Sequence, residues 1–417
     1  MTPGLSCLSH ISADRCRACR CAKSINESNK FSNICKLHPF RLILIKSQYI
    51  NIMALTKVGV LGATGSVGQR FTLLLDNHPE FELYALGASA RSAGKAYKDA
   101  VTWKQTNLLP EFAKDIVVEE CKPAGRFSEC EIVFSGLDSD VAGDIETAFA
   151  AAGKIVVSNA SNFRRSPDVP LIVPIVNPEH LEVVEKRVSD ARAAGKERPG
   201  FIVCILNCST AGLVAPLKPL VEQFGAIDAL TATTLQAISG AGFSPGVSGI
   251  DILDNIVPFI GGEEDKMEWE TRKILGSVSA DKNGFDLISE PDMKVSAQCN
   301  RVPVSDGHTE CISFRFASRP PPSVDQVKDA LRKYQCDAFK LGCHSAPKQT
   351  IHVLEENNRP QPRLDRDRDA GYGVSVGRVR EDPVLDFKMV VLSHNTVIGA
   401  AGAGVLIAEI LKAKNVL

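Results

Sequence analysis

Residues 57–71 read KVGVLGATGSVGQRF, and their reading decides the fold. Val58, Val60 and Leu61 form a short apolar run closed by a glycine, the pattern of a buried strand. Gly62, Gly65 and Gly68 then spell G-x-x-G-x-x-G, after which QRFTLLLDNHP carries a helical pattern. A second apolar run, FELYALGAS over residues 81–89, completes a βαβ unit, which implies parallel strands joined by a right-handed crossover. In such a unit the glycines let a pyrophosphate approach the backbone, and the helix start supplies free N–H donors. Gly62, Thr64, Gly65, Ser66, Val67 and Gly68 are therefore the expected cradle for a dinucleotide.

Downstream, EIVFSGL (131–137), KIVVSNA (154–160) and FIVCILN (201–207) read as further strands, with a helical stretch at 140–152 between them. The fold class expected is α/β, a Rossmann-like doubly wound domain, followed by a second α+β domain. At the end of the second strand, NAD-specific domains place a carboxylate for the ribose 2′-hydroxyl. Here GASARSAGK (87–95) offers Ser89, Arg91, Ser92 and Lys95 but no acid. Hydroxyls and a guanidinium suit a 2′-phosphate, so NADP is the expected cofactor; the bland alternative is a solvated basic turn. Residues 185–200, charged and alanine-rich, read as a surface helix with a loop.

The stretch FIVCILNCSTAG (201–212) ends a buried strand and begins a helix. Cys204, inside the apolar run, reads as a core thiol. Cys208 stands at the helix start, where the dipole favours a thiolate, and is the candidate nucleophile. Pro216 and Pro219 imply that its helix is short or kinked. Beyond it, ALTATTLQAIS, MKVSAQCNRVPV and TECISFRFA alternate as strands of a mixed or antiparallel sheet with one covered face. Arg301 closes one of these strands and His308 follows a turn, so the two can face one cleft. A nucleophilic thiol needs a base, and His308 is the candidate. Residues 355–383 read as a charged loop, and VIGAAGAGVLIAEILKAK (397–414) as a small-residue helix that packs back on the first domain.

Lys and Arg total 48 against 49 acidic residues, a balance that offers no reason for a nucleic-acid or membrane-surface partner. A small-molecule substrate fits better, and no apolar stretch reaches the roughly 20 residues that span a bilayer. Of 13 cysteines, five crowd into the first 35 residues, where CRACRC lacks a second ligand pair at a zinc spacing; no metal site and no disulfide framework is expected. Residues 1–52 are basic and nearly free of acids. They read as a disordered leader or a misassigned start before Met53, so a cytoplasmic location is expected, with organellar targeting an open alternative. The expected division is 1–52; a cofactor domain over 53–207 completed by a C-terminal helix at 392–417; and a catalytic and oligomerisation domain over 208–391.

Eight segments in order carry a family resemblance: GATGSVGQRF, SNASNFRR, NCSTAG, LQAISGAG, GGEEDKMEWET, RVPVSDGHTE, PQPRLD and NTVIGAAGAGV. Over roughly residues 55–417 the chain resembles the aspartate-β-semialdehyde dehydrogenases, in the fungal style. The resemblance implies Cys208 as nucleophile, His308 as acid/base, and Gln236 as a residue orienting thioester or substrate. It implies Arg301 at the substrate α-carboxylate, Glu263 at its amino group with Glu264 as the alternative, and Lys266 and Arg164 at the phosphate. Ser239, Gly240 and Asn395 would lie near the nicotinamide. The implied activity is NADPH-dependent conversion of aspartyl phosphate to its semialdehyde through a cysteine thioester, by a homodimer or homotetramer. The alternatives are an N-acetyl-γ-glutamyl-phosphate reductase, which has no free amino group for Glu263, and a non-catalytic NADP-binding regulator, which needs neither Cys208 nor His308.

Overall fold

The structure, a computed structural model, describes residues 55–243 and 245–417. The expectations for residues 1–52, CRACRC included, lie outside the described residues.

Fifteen strands are described, in chain order: β1 (Thr56–Leu61), β2 (Phe81–Ala88), β3 (Glu119–Glu120), β4 (Ile132–Ser135), β5 (Ile155–Ser158), β6 (Leu171–Ile172), β7 (Phe201–Ile205), β8 (Ile227–Gln236), β9 (Ser277–Val278), β10 (Phe285–Asp286), β11 (Lys294–Arg301), β12 (His308–Phe316), β13 (Ile351–Leu354), β14 (Val374–Glu381) and β15 (Phe387–Ser393). The longer helices are α1 (Ser66–Leu74), α2 (Ser139–Ala151), α3 (Glu182–Ala193), α4 (Cys208–Phe224), α5 (Glu263–Ile274), α6 (Val324–Lys333) and α7 (Gly402–Ala413).

The first sheet runs β3-β2-β1-β4-β5-β7-β6 and every pairing in it is parallel. All four residues of β4 and of β5 are buried, as strands covered on both faces must be. The order reverses direction between β1 and β4, so the carboxyl ends of these strands open a crevice at the start of α1. Phe71 of α1 stacks on Phe134 of β4 with centroids 4.9 Å apart, which seats the helix on the sheet.

The second sheet runs β11-β8-β12-β15-β14-β13, mixed as expected: the two outer pairings are parallel and the inner ones antiparallel. Helix α4 packs on β12 and β15, α6 on β13 and β14, and α5 on β11 and α4. One apolar cluster runs through both sheets, from Val60 and Phe134 through Leu213 and Leu217 to Phe314 and Val391.

Three expectations are corrected. Of the short and kinked alternatives for α4 the first falls: it continues for 17 residues with Pro216 and Pro219 inside it. A helical proline costs about 3 kcal/mol. Leu213, Val214, Leu217 and Leu220 are all buried, each contributing roughly 1.5–3 kcal/mol, so tertiary packing outweighs the lost hydrogen bonds. The segment read as loop at 355–383 contains β14, whose alternation VSVGRVR pairs it with β13 and β15. The C-terminal helix does not begin at 392. Leu392 and Ser393 end β15, registered against Thr309 and His308, and Val397–Ala401 is a π-helical turn with Ala400 at φ −158°, ψ −108°; only Gly402–Ala413 is α-helix. The turn is shaped by a close approach, since a Cβ on Gly399 would lie 3.1 Å from Cys208 Cα and Cβ. Helix α7 then returns to the first sheet, where Gly404 abuts Ile205 and Phe71.

Candidate active site

Asn207 caps α4 with its own side chain, Oδ1 accepting from the N–H groups of Ser209 (2.9 Å) and Thr210 (3.4 Å). Cys208 is thus the first residue of a well-capped helix and is only partly buried. It lines a cavity of about 190 Å³ together with Ser66, Val67, Arg164, Ser239, Gly240, Glu263, Lys266 and Asn395. Nine of the expected site residues therefore share one cavity, drawn from α1, α4, α5 and three loops.

His308, fully buried at the start of β12, brings Nε2 to 3.3 Å from Cys208 Sγ. Its Nδ1 accepts the backbone N–H of Ala237 at 3.0 Å, which fixes the neutral ring with its proton on Nε2. The ring thus faces the sulfur as a donor rather than as the waiting base the sequence suggested. Burial, followed by the charges of Arg301 and His394, lowers its pKa to about 3. The depression of the thiol pKa expected from the helix start meets an opposing effect in burial. Burial and the nearby Glu263 push Cys208 up to about 12, against the opposing pull of Arg301 and Arg164. The resting pair is a thiol beside a neutral imidazole.

Arg301 NH1 donates to the Ala237 carbonyl at 2.7 Å, so the backbone of one residue holds both Arg301 and His308. Asn395 joins the loop at 239 to the turn before His308: Nδ2 donates to Ser239 Oγ and Oδ1 accepts from Gly307 N–H, both at 2.8 Å. Of the two candidate acids, Glu263 enters the cavity, accepting from Asn207 Nδ2 (2.7 Å) and Lys266 Nζ (3.3 Å), whereas Glu264 turns away to accept the Cys299 N–H. Gln236 is buried with Nε2 on Thr234 Oγ1 at 3.3 Å and does not line the cavity. Arg301 and His308 do not line it; both stand behind Gly240, and His308 reaches it through Cys208.

The glycine turn fits a dinucleotide. Gly62 takes φ +70°, and a Cβ on Gly68 would meet the Gly62 carbonyl oxygen at 2.2 Å, so turn and helix touch backbone to backbone. Gly65 caps α1 without a side-chain hydrogen bond, and no acid sits in its first turn. An anion is the natural occupant of such a helix start. Ser89 and Arg91 are exposed just past β2 and Ser92 is half-buried, outside the central cavity.

Sequence reasoning missed Asn207, Ala237, Glu270 and Lys273. The last two were legible in principle: Glu263, Lys266, Glu270 and Lys273 recur at spacings of three, four and three, a charged stripe on one face of α5. All but Lys266 are buried.

A doubly wound parallel sheet with a glycine turn at its crevice, and a second sheet whose His308 meets Cys208 at the start of α4, is the architecture of a dinucleotide-dependent dehydrogenase. Residues 57–184 match the family profile "Semialdehyde dehydrogenase, NAD binding domain" and residues 217–398 match "Semialdehyde dehydrogenase, dimerisation domain". The chain is 74% identical to the aspartate-semialdehyde dehydrogenase of Candida albicans, over 88% of its own length and all of that protein. It is 73% identical to the Saccharomyces cerevisiae enzyme, over 86% and 98% of the two chains. The crystal structure of the Candida albicans enzyme with NADP superposes with a TM-score of 0.84 at 73% identity, covering 87% of this chain and all of that one. The chain belongs to the aspartate-semialdehyde dehydrogenase family.

Proposed function

We propose that the protein reduces L-aspartyl-4-phosphate to L-aspartate 4-semialdehyde and phosphate with NADPH, reversibly, in the biosynthesis of threonine, methionine and related amino acids. The observation that carries this reading is the contact of His308 with Cys208, which lines one cavity with Arg164, Lys266 and the start of α1.

Cys208 releases its proton to solvent, attacks the acyl carbon as the thiolate and expels phosphate, forming a thioester. Arg164 and Lys266 neutralise the departing dianion. NADPH, held at Gly62–Gly68 with its 2′-phosphate near Ser89, Arg91 and Ser92, supplies hydride. His308 donates its Nε2 proton to the carbonyl oxygen as charge develops there and takes it back as the thiohemiacetal collapses to aldehyde and the Cys208 thiolate. Arg301 and Glu263 recognise the α-carboxylate and amino group, Gln236 orients the acyl group, and Ser239, Gly240 and Asn395 bound the nicotinamide side.

The same reading assigns residues 53–207 with the returning C-terminal helix to cofactor binding, and 208–391 to catalysis and to a homodimer or homotetramer. The cytoplasm is the compartment proposed; among the described residues no helix is long and apolar enough to cross a membrane. The test is NADP reduction followed spectrophotometrically with L-aspartate semialdehyde, with and without phosphate. Reduction that requires both supports the reading, and reduction indifferent to phosphate overturns it.

A further inference from the structure

Helix α5 carries a buried carboxylate that lines no part of the cavity yet touches both of its ends. Glu270 is 2% exposed; Oε1 accepts from Arg164 NH1 at 2.8 Å, and Oε2 accepts the backbone N–H of Asn207 at 2.7 Å and the Thr210 hydroxyl at 3.3 Å. Asn207 is the cap of α4 and the residue before Cys208. One carboxylate therefore bridges the guanidinium assigned to phosphate and the strand-to-helix junction that presents the thiol.

One turn further along α5, Lys273 holds the other side of the same loop. Its Nζ donates to the carbonyls of Arg164 (2.8 Å), Ser166 (3.0 Å) and Val169 (2.9 Å). Arg164 is thus fixed by its side chain at Glu270 and by its backbone at Lys273. With NH2 on the Asn159 carbonyl at 2.9 Å, only Nε of the buried guanidinium has no hydrogen-bond partner among the described residues. A guanidinium held in this way keeps its Nε–H unpartnered, in a residue that lines the cavity with Cys208.

We propose that Glu270 is a positioning residue that couples the anion site to the nucleophile. It neutralises Arg164 and fixes its orientation, and through the Asn207 N–H it fixes the approach of Cys208, so that phosphate and acyl carbon are presented in register. The inference rests on the acyl-phosphate reading above. A carboxylate is needed because all three groups it meets are donors. Glutamine keeps one acceptor oxygen, but its amide would set N–H groups against either Arg164 or the Asn207 N–H.

The test uses the full-length enzyme in the semialdehyde-oxidising direction, with three readouts: KM for phosphate, the rate of the first-turnover NADPH burst, and the dissociation constant of NADP. Glu270→Gln is expected to raise the phosphate KM and to slow the burst, each by about tenfold or more, since small displacements of reacting groups are costly. NADP affinity should stay within about twofold, because the glycine turn is untouched, and Glu270→Asp should recover part of both losses by restoring the charge. In Arg164→Ala, which removes the buried cation, adding Glu270→Gln should raise the phosphate KM no further. That double variant leaves neither member of the Arg164–Glu270 pair as an unpaired buried charge, so it tests the coupling if the single variant fails to fold. Unchanged phosphate KM and burst rate in Glu270→Gln, NADP affinity falling in proportion, or additive losses on Arg164→Ala would each overturn the proposal. Wild-type turnover without phosphate would instead sink the underlying reading, while the burst still reports the Asn207–Cys208 arm.

Discussion

His308 Nε2 lies 3.3 Å from Cys208 Sγ, while its Nδ1 is occupied by the Ala237 N–H, so the histidine meets the sulfur as a hydrogen-bond donor. The thiol is raised to about 12 and the imidazole lowered to about 3, both chiefly by burial. The resting enzyme consequently keeps its nucleophile protonated, and the donor is placed to stabilise the thiolate once it forms.

Alkylation of Cys208 by iodoacetamide in the free enzyme should therefore climb with pH, close to tenfold per unit between pH 7 and pH 9, because only the thiolate reacts. A rate that levels off below pH 7 would show a preformed thiolate–imidazolium pair and contradict this arrangement.

The buried histidine also makes a stability prediction. The unfolded chain binds a proton at His308 near pH 6.5, whereas the native site resists until about pH 3, so the unfolded state gains protons first as pH falls. Stability should be intact above pH 6.5 and decline progressively below it. At about 1.4 kcal/mol per pH unit, the loss from this group at pH 5 is about 2 kcal/mol. His394, lowered to about 4 mainly by burial, acts in the same sense. Urea unfolding at pH 7 and pH 5 should show a smaller drop in His308→Asn than in the wild type; equal drops would rule out His308 as a contributor.

The glycine turn, β1, β2 and the Cys208 junction were legible because each depends on contiguous residues: an apolar run, a glycine spacing, a polar break. The second sheet was legible only as alternation, since nothing local reveals that β11 lies parallel to β8 or that β14 inserts between β13 and β15. Helix α4 defeated a local rule because its prolines are held by packing against the second sheet and the neighbouring helices. Glu270 and Lys273 escaped notice because their partners, Arg164 and its neighbouring carbonyls, lie more than 100 residues earlier in the chain. The Ala237 N–H that fixes the His308 tautomer has no side-chain signature at all.

Cofactor choice should reside at the end of β2, where Arg91 is exposed and no acid is present. Arg91→Ala should weaken NADP by about tenfold or more and leave NAD nearly unchanged, since a hydrogen bond to a charged group contributes about 1.5–3 kcal/mol. Equal losses for the two cofactors, measured by fluorescence titration, would reduce Arg91 to a structural role.

Lys266 reaches the cavity with its side chain 36% exposed and its Nζ 3.3 Å from Glu263 Oε1. Lys266→Ala should raise the KM for phosphate several-fold in the semialdehyde-oxidising direction while leaving the first-turnover burst intact, because hydride leaves before phosphate attacks. A lost burst with unmoved phosphate KM would place Lys266 at the acyl group instead.

The central claim is that phosphate, not water, resolves a thioester on Cys208. Rapid mixing of the wild-type enzyme with L-aspartate semialdehyde and NADP, without phosphate, tests it most directly. The account predicts a burst of about one NADPH per active site that then stalls, resumes on addition of phosphate, and is absent in Cys208→Ala with NADP binding retained. Sustained turnover without phosphate, or a burst that survives in Cys208→Ala, would contradict it.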